Sequence, residues 1–122
     1  MSTHILIADD SASMRAMLTF TLKNAGYQVT VTVDGSEALQ MAPQCRPALV
    51  ITDLNMPRVD GIELIRCLRA DPGFRHVPIL MLTTESQDNL KRAGREAGAT
   101  GWIVKPFNPE QLLAVVKRVL GN

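Results

Sequence analysis

The 122-residue sequence lacks a charge excess of either sign: 13 Lys plus Arg stand against 12 Asp plus Glu, a formal net charge of +1. A chain this close to neutral lacks the basic footprint expected of a nucleic-acid binder. It equally lacks the polybasic patch that holds proteins on anionic membranes. No apolar run approaches the ~20 residues needed to span a bilayer. The start, Met1-Ser2-Thr3-His4 running into Ile5-Leu6-Ile7-Ala8-Asp9-Asp10, has no basic stretch and too short an apolar one for a signal peptide. Cysteine is scarce: Cys45 and Cys67 form no CxxC pair. Without an export signal they are expected to be reduced thiols in the cytoplasm. There is no internal repeat, low-complexity tract or linker, so one domain over residues 1–122 is expected. With 46% apolar and 20% charged residues the composition is that of a globular chain, not a disordered one.

Short apolar runs alternate with longer segments of helical period. The runs are Ile5–Ala8, Val29–Val33, Ala48–Ile51, Ile79–Leu82 and Trp102–Val104. The first, third and fourth are continuously apolar, as strands covered on both faces should be. Met14, Met17, Leu18, Leu22 and Ala25 mark a first helix closed by Gly26. Ala38, Leu39 and Ala42 mark a second, which Pro43 is expected to stop. Gly61, Leu64, Ile65 and Leu68 mark a third, ending near Asp71-Pro72-Gly73. Leu112, Leu113, Val116, Val119 and Leu120 mark the last, with Pro109 suited to its first turn. The segment Gln87–Ala97 has only a narrow stripe of small residues and an interior Gly94, which costs about 1 kcal/mol against Ala. It reads either as a marginal surface helix or as a segment held loosely enough to shift.

The order βαβαβαβαβα implies an α/β fold with a parallel sheet and helices on both faces. Ligands of such sheets bind beyond the carboxyl ends of the strands. Those ends carry Asp9-Asp10, Asp34-Gly35, Asp53, Thr83-Thr84 and Lys105. Singly, each has an ordinary explanation. Asp10 with Ser11 and Ser13 could cap a helix, Thr84 with Gln87 could form a capping box, and a lone Lys is usually solvated. Together, three converging carboxylates repel and call for a cation, of which Lys105 supplies one. No histidine or thiol lies at these ends, so an all-oxygen site points to Mg²⁺ (or Mn²⁺) and away from Zn²⁺. Mg²⁺ held by carboxylates usually serves a phosphate, yet no GxxxxGK[ST] or GxGxxG loop is present to cradle a nucleotide. A carboxylate could instead take the phosphoryl group itself, as an aspartyl phosphate.

At these positions the chain resembles response-regulator receiver domains. The resemblance rests on Asp9-Asp10, Thr52-Asp53-Leu54-Asn55-Met56-Pro57 with Asp60-Gly61, Thr83-Thr84-Glu85, and Gly101-Trp102-Ile103-Val104-Lys105-Pro106-Phe107. It covers nearly the whole chain and is closest to single-domain CheY-type chemotaxis regulators without an output domain. It implies a flavodoxin-like doubly wound (βα)5 sandwich with strand order 2-1-3-4-5, an order that general fold rules already associate with CheY. By the same resemblance, Asp53 would be the phosphoacceptor. Asp10, Asp53 and the Asn55 carbonyl would ligate Mg²⁺, with Asp9 acting through a water. Thr83 and Lys105 would hold the phosphoryl group, Lys105–Pro106 would be cis, and Asn55 and Glu85 would tune a short phosphoryl lifetime. The ring at Trp102, often Tyr or Phe in the family, would swing inward and alter the helix 4–strand 5–helix 5 surface. Because Trp is bulkier, the alternative that it stays partly exposed as a partner contact is kept open.

The implied partners are a CheA-like histidine kinase and a downstream protein, such as a flagellar motor switch, with neither nucleic acid nor membrane. The implied state is a cytoplasmic monomer that is not a turnover enzyme. A relay intermediate or phosphate sink outside chemotaxis, or a phosphorylation-independent adaptor, is the alternative. A haloacid-dehalogenase-type phosphatase wants Asp-x-Asp where this chain has Asp53-Leu54-Asn55. A flavodoxin-like FMN binder would place phosphate against the paired acids Asp9-Asp10.

Overall fold

A computed structural model describes residues 3–84 and 88–121. Five parallel strands, β1 (His4–Ala8), β2 (Gln28–Thr32), β3 (Leu49–Asp53), β4 (Ile79–Thr84) and β5 (Gly101–Lys105), form one sheet in the order β2-β1-β3-β4-β5. The helices are α1 (Ala12–Asn24), α2 (Gly35–Cys45), α3 (Gly61–Ala70), α4 (Asp88–Ala97) and α5 (Pro109–Leu120), with a single 3₁₀ turn at Pro72–Phe74. This is the flavodoxin-like arrangement expected. The three continuously apolar runs are the three inner strands, and the interrupted ones, β2 and β5, lie at the edges. A central parallel strand has no solvent face on which a polar residue could sit.

Alternation along each strand sorts the core into two layers. Leu6, Val50, Ile79 and Met81 pack with Ala38, Ala42, Leu64, Ile65 and Leu68 of α2 and α3. Ile5, Ile7, Ile51, Leu80, Leu82 and Ile103 pack with Leu18, Leu22, Leu112 and Val116 of α1 and α5.

Helix ends follow local chemistry. Ser11 Oγ accepts the Met14 N–H at 3.2 Å, Asp34 the Glu37 N–H at 2.8 Å and Asp60 the Glu63 N–H at 2.9 Å, each satisfying a first-turn donor. The cap of α1 is therefore Ser11 and not Asp10. Beyond α1, Gly26 takes φ +97°, as expected of the residue that closes it. Pro43 does not stop α2. The helix runs on to Cys45, because Arg46 N–H still reaches the Ala42 carbonyl at 3.0 Å and Cys45 packs on the core. Pro43 gives up its own N–H donor, but the bond from Arg46 and the packing of Cys45 carry the helix past it. Gln87, expected to open α4, lies outside the described residues.

Gly61 fixes the loop after β3. Its N–H donates to the Leu54 carbonyl at 3.0 Å, and a Cβ there would overlap the Asp53 carbonyl oxygen. At Gly101 the nearest atom to such a Cβ is Leu80 Cδ2 at 3.6 Å, an ordinary contact. Gly61→Ala is therefore expected to lower the unfolding free energy in urea by about 1–3 kcal/mol, as overpacking does, with Gly101→Ala changing it much less. Equal losses in the two variants would contradict this reading.

Candidate functional site

The rows of side chains that fill the α1–α5 layer continue past the carboxyl edge of the sheet. Two residues after Ile7 stands Asp9, two after Ile51 stands Asp53, and two after Ile103 stands Lys105. A period of two keeps all three on one side of the sheet. Carboxylate oxygens of Asp9, Asp10 and Asp53 come within 4.8 Å of one another. Lys105 reaches over β4, its Nζ 3.2 Å from Asp53 Oδ1 and 3.6 Å from Asp9 Oδ2.

The backbone is fixed around these groups. Asp9 Oδ1 accepts the Ser11 N–H at 2.9 Å, and its carbonyl accepts from Arg15 Nη1 at 2.8 Å. Asp53 Oδ1 accepts the Leu54 N–H at 2.8 Å. On the rim, the Arg58 guanidinium pairs with Asp34 at 3.4 Å, and the Val59 carbonyl accepts the Gly35 N–H at 3.1 Å, which holds the loop after β3 against α2.

Asp9 is fully buried, Asp53 nearly so and Asp10 exposed. Asn55 is exposed in the loop after β3. Thr83, in β4, is fully buried. The Lys105–Pro106 peptide is cis. Glu85 lies outside the described residues. Trp102 is not drawn into the acidic edge: it sits half-buried against α4, where Lys91 Nζ and Arg95 Cζ lie 5.7 and 4.9 Å from the ring centroid. Sequence reasoning missed both of these cations as well as Arg15 and Arg58. A basic run on a helix and an arginine in a turn carry no signal of what they will face.

Two buried polar atoms, Asp9 Oδ2 and Thr83 Oγ1, have no hydrogen-bond partner among the described residues. Such an atom costs roughly 1–3 kcal/mol unless something satisfies it. Among the described residues, three carboxylates face the ammonium of Lys105 and oxygen is the donor on offer, so the set fits a hard divalent cation. Burial pushes the Asp9 carboxyl above its ordinary value of 3.8. The Ser11 N–H and the Lys105 charge pull it down, and the Asp53 and Asp10 charges push it up.

Comparison with known proteins agrees with this architecture. The family described as the response regulator receiver domain matches residues 5–117. The chain belongs to that family. Its relatives include the DNA-binding response regulator MtrA of Mycobacterium tuberculosis, 43% identical over 117 residues, which are 96% of this chain and 50% of MtrA. The alkaline phosphatase synthesis regulator PhoP of Bacillus subtilis is 38% identical over 120 residues, 98% of this chain and 49% of PhoP. This receiver thus spans about half the length of these curated relatives. DNA binding is named for MtrA, a protein about twice as long, and it lends no support to the expectation that nucleic acid is not a partner.

Among solved structures, the chemotaxis protein CheY4 of Vibrio cholerae is 45% identical with a TM-score of 0.93, covering 98% of this chain and 99% of that one. The receiver domain of the sensor histidine kinase PA1611 of Pseudomonas aeruginosa is 28% identical with a TM-score of 0.92. It covers all of both chains and has a magnesium ion coordinated in its active-site cleft. No helix among the described residues of the present receiver is long and apolar enough to cross a membrane.

The raised affinity of Asp9 for its proton has a consequence for stability. The folded protein binds this proton more tightly than the unfolded chain. The associated stability is fully present below about pH 3.8 and is lost as pH rises through the higher folded value. At neutral pH the ionised carboxylate is a net cost to the metal-free protein. Asp9→Asn is therefore expected to raise the urea midpoint in EDTA at pH 7 and to flatten the pH dependence above pH 4. A lower urea midpoint for the variant would contradict this.

Proposed function

We propose that this receiver accepts a phosphoryl group on Asp53 from a histidine kinase and, by doing so, changes the surface it offers to a protein partner. The observation that carries the reading is the cluster itself: Asp53 lies within reach of two further carboxylates and beside one ammonium. Asp10, Asp53 and the Asn55 carbonyl would hold Mg²⁺, with Asp9 acting through a water. Bound there, the ion supplies positive charge against the oxygens of a phosphoryl group. Asp53 acts as the nucleophile through a carboxylate oxygen. Lys105 Nζ, already 3.2 Å from that carboxylate, pairs with the incoming charge. Thr83 Oγ1, buried and unbonded among the described residues, donates to a phosphoryl oxygen. The receiver gains and loses its own phosphoryl group and turns over no external substrate. Asn55 and Glu85 would tune its loss, giving a short-lived signal.

Incubation of the protein with acetyl phosphate and Mg²⁺ is the direct test. Labelling is expected to disappear in Asp53→Asn and in EDTA, and to decay within minutes once the donor is withdrawn. Undiminished labelling of Asp53→Asn would move the acceptor elsewhere, and persistence for hours would refute the short lifetime.

A protein donor must dock beside the acidic edge. α1 starts there, at the Ser11 cap, and exposes Met17 and Phe20, the latter at 70%, and Phe20 lines one groove with the exposed Val31 of β2. Exposed apolar side chains gathered in one patch mark interaction surfaces. Phe20→Asp is expected to slow phosphotransfer from a histidine kinase at least tenfold, the cost of about 1.4 kcal/mol at an interface, while leaving labelling by acetyl phosphate unchanged. Equal slowing with both donors would place the defect in the acidic site and not at a docking face.

Chemotaxis is the pathway we favour, with a CheA-like kinase as donor and a motor-switch-type protein among the possible outputs. The likeness to CheY4 over nearly the whole of both chains supports it. The similarity to MtrA and PhoP favours a second reading, in which the receiver serves a transcriptional response. A phosphotransfer profile against histidine kinases separates the two: preference for a CheA-like donor supports the first, and preference for a membrane-sensor kinase supports the second.

A further inference from the structure

α4 is the helix whose sequence carries the weakest apolar stripe, and two contacts fix its position on the sheet. Gly94 lies so close to β4 that a Cβ there would overlap Met81 Sδ. On the neighbouring strand, Trp102 is the residue in register with Met81. Lys91 and Arg95, one turn apart on the same face of α4, both reach the Trp102 ring, at 5.7 and 4.9 Å from its centroid. Lys91 also meets the Asp88 carboxylate at 3.4 Å, and its side chain is only 19% exposed. A cation over an indole is attracted by the negative face of the ring, more strongly when it is desolvated. Two such contacts on one ring are comparable to the free energies that separate conformational states. Along β4, Met81 is two residues from Thr83, whose buried hydroxyl has no partner among the described residues at the acidic edge. Both side chains lie on the α4 side of the sheet by strand alternation.

We propose that Lys91 and Arg95 form a latch on Trp102, holding the α4–β5 face in its resting arrangement, and that occupancy of the acidic site is linked to its release. The proposal rests on the phosphoryl-accepting function above and adds its regulation. If the latch favours the resting arrangement, removing it must tighten binding of whatever favours the other, by thermodynamic reciprocity. The cost of activation is then set by two side chains that touch neither the metal site nor the phosphoryl group.

The test uses the full chain with Mg²⁺ and beryllofluoride, a mimic of the phosphoryl group. Its half-saturating concentration is read from protection of Asp53 against labelling by acetyl phosphate. In the double variant Lys91→Met and Arg95→Met, which keeps the side-chain stems but not the charges, that concentration is expected to fall about fivefold. Trp102 is the only tryptophan, so emission and acrylamide quenching report this ring alone. The resting double variant is expected to resemble the mimic-saturated wild type in both, and Arg95→Lys, which keeps the charge, to stay near the wild type. An unchanged or higher half-saturating concentration in the double variant overturns the latch. Wild-type emission that ignores saturating mimic overturns it equally. These results are distinct from failure of the parent reading, which would appear as absence of Asp53-dependent labelling in the wild type and would remove the latch with it.

Discussion

The mutual repulsion of Asp9, Asp10 and Asp53 is the constraint on which the rest of this structure depends. Three carboxylates whose oxygens lie within 4.8 Å of one another are held at the end of a sheet whose central strands are sealed from water. Burial and like charge both disfavour ionisation, and together they raise the proton affinity of Asp9. A fold can keep such a group only if its backbone is fixed by other means. Here Arg15 holds the Asp9 carbonyl, the Ser11 N–H holds its carboxylate, and the Leu54 N–H holds that of Asp53. The close approach of Gly61 leaves the Asp53 carbonyl no room to move toward α3. Lys105, stretched across β4, offsets part of the charge. What remains is an electrostatic deficit that a cation and an anionic ligand together can relieve. That deficit is the physical basis for proposing that phosphoryl transfer to Asp53 requires a divalent metal.

Much of this was legible in the sequence, because the periodicities of strands are rigid. Continuous apolar runs at Ile5–Ala8 and Ile79–Leu82 could only belong to inner strands, and they do. Once the runs were placed, the carboxyl ends of parallel strands brought Asp9, Asp53 and Lys105 to one edge; that they share one side of the sheet is seen in the structure. What was not legible depends on contacts between elements far apart in sequence. Gly94 read as a weakness of α4. In the structure it is where the helix comes down on Met81, with no space for a larger residue. Pro43 read as a stop because a proline in mid-helix would be one. The bond from Arg46 to Ala42 and the packing of Cys45 on the core, neither visible in the sequence, carry the helix past it.

Arg69 is a stronger instance of the same limit. Nothing around it in the chain marks it. Yet its guanidinium donates to the carbonyls of Phe74, Val77 and Gly98 at 2.6, 2.7 and 2.9 Å, drawing together the loop before β4 and the end of α4. Burial lowers its proton affinity, but the ring of carbonyls keeps its donors satisfied. Gly98, at φ +116°, passes so near the Arg69 stem that a side chain there would press on Arg69 Cγ. The carboxyl end of α4 is therefore tied by hydrogen bonds from a half-buried cation, whereas its middle is held by an aromatic ring and a glycine contact.

That difference bears on how a change at the acidic edge could travel. Interior packing is dense and does not deform gradually, so a displacement must pass through contacts able to exchange one arrangement for another. The Arg69 bonds are short and several, and exchanging them together would be costly. The cation–ring contacts of Lys91 and Arg95 are individually weak, and at the exposed Arg95 water can replace the contact. A helix fastened strongly at one end and weakly along its face moves by turning about the strong end. In α4 the weak face is the one that covers Trp102, on the strand that ends at Lys105. The same strand thus contributes an ammonium to the acidic edge and an indole to the outer surface, and its rigidity places the two events at opposite ends of one short segment.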